Sequence, residues 1–382
     1  MSTIDAIYLA RDDALNVETW SGTPYWIGKA LEKVGFRLDY ACPIPEPHRL
    51  YYRIKGRLIR MTGWDYSPAG EGPWVRGYGR RASRMIAGKG GRVLFSCGKP
   101  QVPCLQTDLP ILFFDDASVP AITRTHPSTT NLFPAAKARM LETERRAIEK
   151  SAWACYSSEW AAEAAVRTYG DKLAQKIKVV PFGANMEVDR SEADVENIIR
   201  SRPRGQCNLL FVGRHWENKG GPTALAAAAE LQRRGVNVRL DVVGPEVNTS
   251  LPSFVRSHGF VSKNTIVGRD LLDRLYRESH FFILPTRFEA YGIVFVEAAS
   301  YGVPSLASRI GGVPTIVRSG VNGELFSLDD GGWGYADFIM AHWNEPTAHE
   351  ALCRSAYRDY GARLSWDRFG ETIRELVLPL LK

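Results

Sequence analysis

A chain of 382 residues is longer than one hydrophobic core usually grows, so two domains are expected. A composition 45% hydrophobic and 24% charged excludes a disordered chain, and no run approaches the roughly 18–20 apolar residues of a membrane span. The net charge is only +7, and six cysteines without a CxxC pair or a Cys/His cluster argue against a zinc site or a disulfide framework.

The opening MSTIDAIYLARDD has no basic region before a long apolar segment, so no secretory signal is read and the cytoplasm is the expected compartment. Short apolar runs at residues 6–10, 37–42, 92–96, 111–114, 154–157 and 177–180 read as strands. Helical segments at 24–34, 135–151 and 159–169 lie between them. The last is opened by Ser157 and Ser158 and closed by Gly170. PFGAN (Pro181 to Asn185), with the polar, acid-rich sequence that follows to about Gly205, reads as a linker. Strands at 208–212, 239–243, 281–284 and 304–307 follow, with helices near 222–234, 269–278 and 292–300 and a final helix at 366–381. This alternation predicts two doubly wound α/β halves of similar size with parallel sheets.

Charge is uneven along the chain. Between Arg49 and Arg92 there are eleven lysines and arginines against two acids, Asp65 and Glu71. Such a block suits phosphate, anionic lipid or nucleic acid, and no nucleic-acid recognition motif accompanies it. Within it, RLYYRIKGRLIR places Arg53, Arg57 and Arg60 at helical spacing with Leu50, Ile54, Leu58 and Ile59 interleaved. A basic amphipathic helix of this kind can lie on an anionic membrane, with Trp64, Trp74 and Tyr78 as interfacial anchors. The alternative is that the aliphatics are core and the arginines merely solvated.

The chemistry concentrates in LPTRFEAYGIVFVEAASYGVP, from Leu284 to Pro304. A buried strand ends there, a polar loop carries Glu289, and a helix starts near Gly292. In open α/β sheets this is where ligands bind. Backbone amides around Gly292, Ile293 and Val294 form an anion cradle. Glu297, on a largely apolar helix, needs a partner; ribose hydroxyls beside a bound diphosphate are one, a solvated face or a neighbouring loop the other. FVGRHWENKGG, from Phe211 to Gly221, brings Arg214 and Lys219 to the same edge, where the two cations can neutralise a departing diphosphate.

FEAYGIVFVE resembles the E-x7-E motif of the family-4 retaining glycosyltransferases of the GT-B fold, with Glu289 and Glu297 as its acids. VGRHWENKGG resembles the same family's Arg/Lys motif, and GGVPTIVRSGVNGELF (Gly311 to Phe326) its following segment. The resemblance implies two Rossmann-like domains facing a central cleft: residues 1–190 for the acceptor, 191–365 for a nucleotide sugar, and a helix at about 366–382 able to pack back on the first. It implies a metal-independent transferase with no cofactor, whose donor substrate is a nucleotide diphosphate sugar. Arg214 and Lys219 would hold the diphosphate, Glu289 the sugar, Glu297 the ribose, the amides of Gly292 to Val294 the phosphates, and Phe260 and Val261 the base, with Tyr291 a further donor-binding residue. WSGTPYWIGKAL matches the family's first loop at Gly22 and Thr23, without its usual double glycine. Where many relatives present a histidine from the first domain, LFFDDASVPAITRTHP offers Asp116, directly after a strand, in preference to His126.

The acceptor is expected to be a glycan or lipid, lipid-linked or membrane-bound, with the chain peripheral at the inner face of an anionic membrane and no nucleic acid as partner. A sugar-nucleotide epimerase of the same fold and a non-catalytic nucleotide-sugar-binding protein are the alternatives. No GxGxxG follows the first strand, as a dinucleotide-dependent dehydrogenase would require, and the Asp115–Asp116 pair is not the spaced DxD of a metal-dependent transferase.

Overall fold

The computed structural model describes residues 3–126, 129–187, 190–247 and 250–381. The chain divides into two compact units, Met1–Phe182 with Trp366–Lys382, and Gly183–Ser365.

In the first unit six strands, β1 (Ile4–Ala10), β2 (Phe36–Ala41), β3 (Val93–Cys97), β4 (Ile111–Asp115), β5 (Trp153–Tyr156) and β6 (Ile177–Val179), form one sheet in the order β2-β1-β3-β4-β5-β6. Every pairing is parallel. Strands β3 and β4 read as continuous apolar runs because helices cover both sheet faces, and all but Asp115 of their residues are buried. The helix Glu159–Tyr169 is capped by Ser158, which accepts from Ala161 N, and ends at Gly170.

The C-terminal helix Trp366–Val377 belongs to this unit. Trp366 stacks on Phe182 with ring centres 5.9 Å apart, and Phe369 meets Phe114 at 5.4 Å. Gly370 lets it approach the helix Thr23–Lys33, since a Cβ there would stand 2.7 Å from Ala30 O.

Two expectations for the basic block change. Trp74 and Tyr78 are not surface anchors: each is 3% exposed, their rings pack 4.4 Å apart, and both lie in the core. They lie on a helix, Gly72–Ile86, that the sequence reading left undescribed. Conversely, Leu50, Ile54 and Leu58 are not core but exposed.

The second unit has β7 (Cys207–Val212), β8 (Val238–Val243), β9 (Val255–Ser257), β10 (Phe281–Leu284), β11 (Ser305–Ser308) and β12 (Gly323–Phe326), in the order β12-β11-β10-β7-β8-β9 and again all parallel. This is a doubly wound order whose direction reverses between β7 and β10. The segment read as a linker contains the helix Glu192–Ser201, opened by a capping box in which Ser191 and Asp194 satisfy each other's backbone amides. Sequence periodicity does not mark β9, β12 or the helices Trp333–Trp343 and Pro346–Arg363. The strands are too short, and the helices too weakly striped, for periodicity to reveal them.

Candidate functional site

The loops after β7 and β10 flank the reversal point of the second sheet, and backbone contacts join them. Arg287 N donates to Asn218 O at 2.9 Å, and Thr286 Oγ1 to the same oxygen at 3.3 Å. Gly220, left-handed at φ +76°, lies so close to Pro285 that a Cβ would stand 1.9 Å from its carbonyl oxygen. Only glycine fits both constraints.

That approach brings Lys219 to Glu289. The ammonium donates to Oε2 at 2.6 Å, with 22% and 15% of the two side chains exposed. A third loop supports the carboxylate's backbone: Gly312 N donates to Glu289 O at 3.1 Å, and a Cβ on Gly311 would lie 2.0 Å from that oxygen. Arg214 is exposed, its guanidinium carbon 5.5 Å from the centre of the exposed Phe260 ring, which Val261 follows. Tyr291 is buried, Gly292 precedes the helix Ile293–Ala299, and the amides of Ile293 and Val294 open its first turn.

Glu297 is fully buried in that helix. Its partners are Lys263, which donates to Oε1, and Tyr276, whose hydroxyl donates to Oε2 at 3.1 Å. Burial, and then the carboxylate, hold the Tyr276 phenol well above its usual pKa, so it remains a donor. Lys263 also donates to Asn185 O at 3.2 Å. Neither residue was a sequence candidate. Lys263 lies two positions beyond Val261, but nothing in GFVSKN says that its ammonium reaches a helix 34 residues on.

The first unit holds Asp116, Gly22 and Thr23. A cavity of about 370 Å³ opens at the carboxyl ends of β1, β3 and β4, lined by Arg11, Asp12, Trp20, Gln101, Asp115 and Asp116 among others. It lies at this sheet's own reversal point, between β1 and β3. Trp20 Nε1 donates to Asp116 Oδ2 at 3.0 Å. Trp20, Ser21 and Gly22 are three successive left-handed residues ahead of the helix that Thr23 begins. Such backbone is costly outside glycine and tends to be kept where it positions a functional group. Gln101 is fully buried, and its Oε1 has no partner among the described residues. His126 follows the helix Val119–Thr125 and does not line the cavity.

Beneath Asp116, the buried Lys99 bridges Asp115 at 2.9 Å and Glu144 at 3.0 Å and donates to Ala117 O at 2.6 Å. Burial works against the ammonium, yet Asp115 and Glu144 hold its pKa above the ordinary lysine value. Glu144 also accepts from Val119 N, Tyr156 and Tyr169. This network fixes the loop that carries Asp116; the sequence reading named none of it except Asp115.

The family model described as glycosyl transferases group 1 matches residues 206–341, the stretch that holds both motif loops. A D-inositol 3-phosphate glycosyltransferase from Nocardiopsis dassonvillei is 31% identical over 226 residues, 55% of this chain and 51% of the relative. The chain thus spans about half the length of the curated relatives it matches. Among solved structures, sucrose-phosphate synthase from Thermosynechococcus elongatus superposes with a TM-score of 0.70 at 17% identity, covering 99% of both chains. Anabaena HepE in complex with UDP and glucose superposes at 0.63 and 13%, covering 98% of this chain and 99% of its own. The chain has the GT-B fold. Within it, residues 206–341 are the part that matches the group 1 glycosyl transferases.

Proposed function

We propose that this GT-B chain is a retaining, metal-independent glycosyltransferase of the family-4 type, moving a sugar from a nucleotide diphosphate donor to a glycan or lipid acceptor. The observation that carries the reading is the Lys219–Glu289 pair, 2.6 Å apart at the sheet reversal and inside the segment that matches the group 1 glycosyl transferases.

Arg214 and Lys219 neutralise the charge that grows on the leaving diphosphate, which is the largest single contribution such a site can make. Lys219, paired with Glu289, turns to phosphate when the donor binds, and Glu289 is released toward the sugar. The amides at Gly292, Ile293 and Val294, with Tyr291, add phosphate contacts. Phe260 and Val261 hold the base, with Arg214 beside Phe260 on the adjoining phosphates. Glu297 takes the ribose hydroxyls, exchanging its contact with Lys263. In the first unit, Gly22 and Thr23 are the donor-binding candidates, and Asp116, oriented by Trp20, serves the acceptor hydroxyl. The sugar's bond to the diphosphate loosens while the acceptor enters on the same face, so positioning is the second contribution.

The acceptor is lipid-linked or membrane-bound, and the basic block between Arg49 and Arg92 meets an anionic membrane from the cytoplasmic side. No helix among the described residues is long and apolar enough to cross one.

The test is a panel of nucleotide diphosphate sugars, with release of the nucleoside diphosphate followed with and without a membrane-lipid extract and with chelator present. Lipid-stimulated release from one donor, indifferent to chelator and giving an α-linked product from an α-linked donor, is expected. Turnover of the nucleotide sugar to its epimer without acceptor, or no release and no thermal shift with any nucleotide, would overturn the proposal.

A further inference from the structure

The helix Arg49–Arg60 has an inward side and two outward stripes. Tyr52 and Gly56 are its buried residues, and Gly56 sits against Tyr66, where a Cβ would stand 2.6 Å from the ring. The outward side is apolar: Leu50 is 69% exposed, Tyr51 58%, Ile54 54%, Leu58 60%, and Met61, just past the helix end, 79%. At 3.6 residues per turn, Leu50, Ile54, Leu58 and Met61 fall in one line along the helix. One exposed leucine is ordinary; a whole turn-by-turn line of large aliphatics facing water is not. Beyond the helix, Trp64 packs on the half-exposed Phe133 at 4.6 Å.

A second line runs beside the first. Arg49, Arg53, Arg57 and Arg60 repeat at the same spacing and are all exposed. Arg49 meets Glu46 at 3.7 Å, while Arg53, Arg57 and Arg60 have no acidic partner among the described residues. The one lysine of the helix, Lys55, lies away from this line and is tied to Glu71 at 2.7 Å. The unpaired cations therefore lie along the border of the apolar stripe.

From this we infer that the helix Arg49–Arg60 is an interfacial helix for an anionic lipid surface, with Leu50, Ile54, Leu58 and Met61 entering the acyl boundary and Arg53, Arg57 and Arg60 on lipid phosphates. The inference rests on the membrane-bound acceptor of the proposed function and names the element that reaches it. Charge decides for lipid over a protein partner. A guanidinium row beside an aliphatic row on one exposed helix face matches the layering of phosphates above acyl chains. The buried Trp74 and Tyr78 take no part; of the expected anchors only Trp64 flanks the helix, with the exposed Met61 and Phe133.

Co-sedimentation with phosphatidylglycerol and phosphatidylcholine vesicles tests this. The full chain is expected to bind anionic vesicles at least tenfold better than neutral ones, with binding weakened by salt. The variants Leu50→Ser/Ile54→Ser/Leu58→Ser and Arg53→Gln/Arg57→Gln/Arg60→Gln each lose that binding while keeping their circular dichroism and melting temperature. Lys219→Ala binds vesicles as the parent does, so a failed donor-site assignment leaves this result standing. Equal binding to neutral vesicles, retention by both triple variants, or a lipid-free dimer that the serine variant abolishes would each overturn it. The last outcome would make the stripe a protein interface.

Discussion

Lys263 donates to Glu297, a carboxylate with no exposed surface at the heart of an otherwise apolar helix. Tyr276 donates to the other oxygen at 3.1 Å, and the Tyr276 ring is itself stacked on Tyr301 at 5.1 Å. The buried charge is therefore held by groups from a different loop and a different helix. A substrate hydroxyl reaching Glu297 has to displace a group that now covers it.

Removing the cation leaves that carboxylate buried and unpaired. Lys263→Met is expected to cost about 3–5 kcal/mol of stability, and Lys263→Met/Glu297→Gln to recover most of it. Urea denaturation reads both. A single-variant loss below about 1 kcal/mol would mean that Glu297 finds water or another donor.

At the reversal point of the second sheet, Lys219→Ala and Glu289→Ala are expected to lower turnover about 10²–10³-fold, on the scale of losing one preorganised donor. Melting temperatures should shift little, because both side chains remain partly exposed. Near-parental turnover in either variant removes that residue from the site.

Gly220→Ala asks whether the backbone approach matters. The added methyl meets Pro285 O at 1.9 Å in a left-handed conformation, so the turn must move and carry Lys219 with it. Loss of activity comparable to Lys219→Ala, in a protein that still melts cooperatively, is expected. Full activity would show that the two loops tolerate separation.

A pH dependence follows from two buried histidines of the second unit. Burial lowers the pKa of His280 from 6.5 to about 3, and that of His349 to about 4. Both are neutral in the fold, where His280 Nδ1 accepts from Asn208 N at 3.0 Å and His349 Nε2 lies 3.0 Å from His280 O. Below pH 6.5 the unfolded chain takes up protons that the folded chain refuses, so their stabilisation is complete above that pH. It is lost progressively as pH falls toward 4, on the order of 2–3 kcal/mol per histidine. Denaturation midpoints measured from pH 7.5 to 4.5 should fall, and the fall should be shallower in His349→Gln. A flat profile would show that the rings are protonated in place.

Much of this protein was legible in its sequence. Alternating apolar runs and helical segments determined two doubly wound halves, because parallel strands covered on both faces must be continuously apolar. Arg214, Lys219 and Glu289 stood out as candidates because they follow buried strands in polar loops, and Glu297 because it is a carboxylate within an otherwise apolar helix. Only the tertiary structure decided which of them meet. Lys219 reaches Glu289 across 70 residues of sequence, and Lys263 reaches Glu297 from the loop after β9, through distances set by strand order and close backbone approach. The basic block shows the same division. Its spacing gave a helix with apolar and cationic lines, but burial depends on what packs against each side. Packing turned Trp74 and Tyr78 inward and left Leu50, Ile54 and Leu58 facing out.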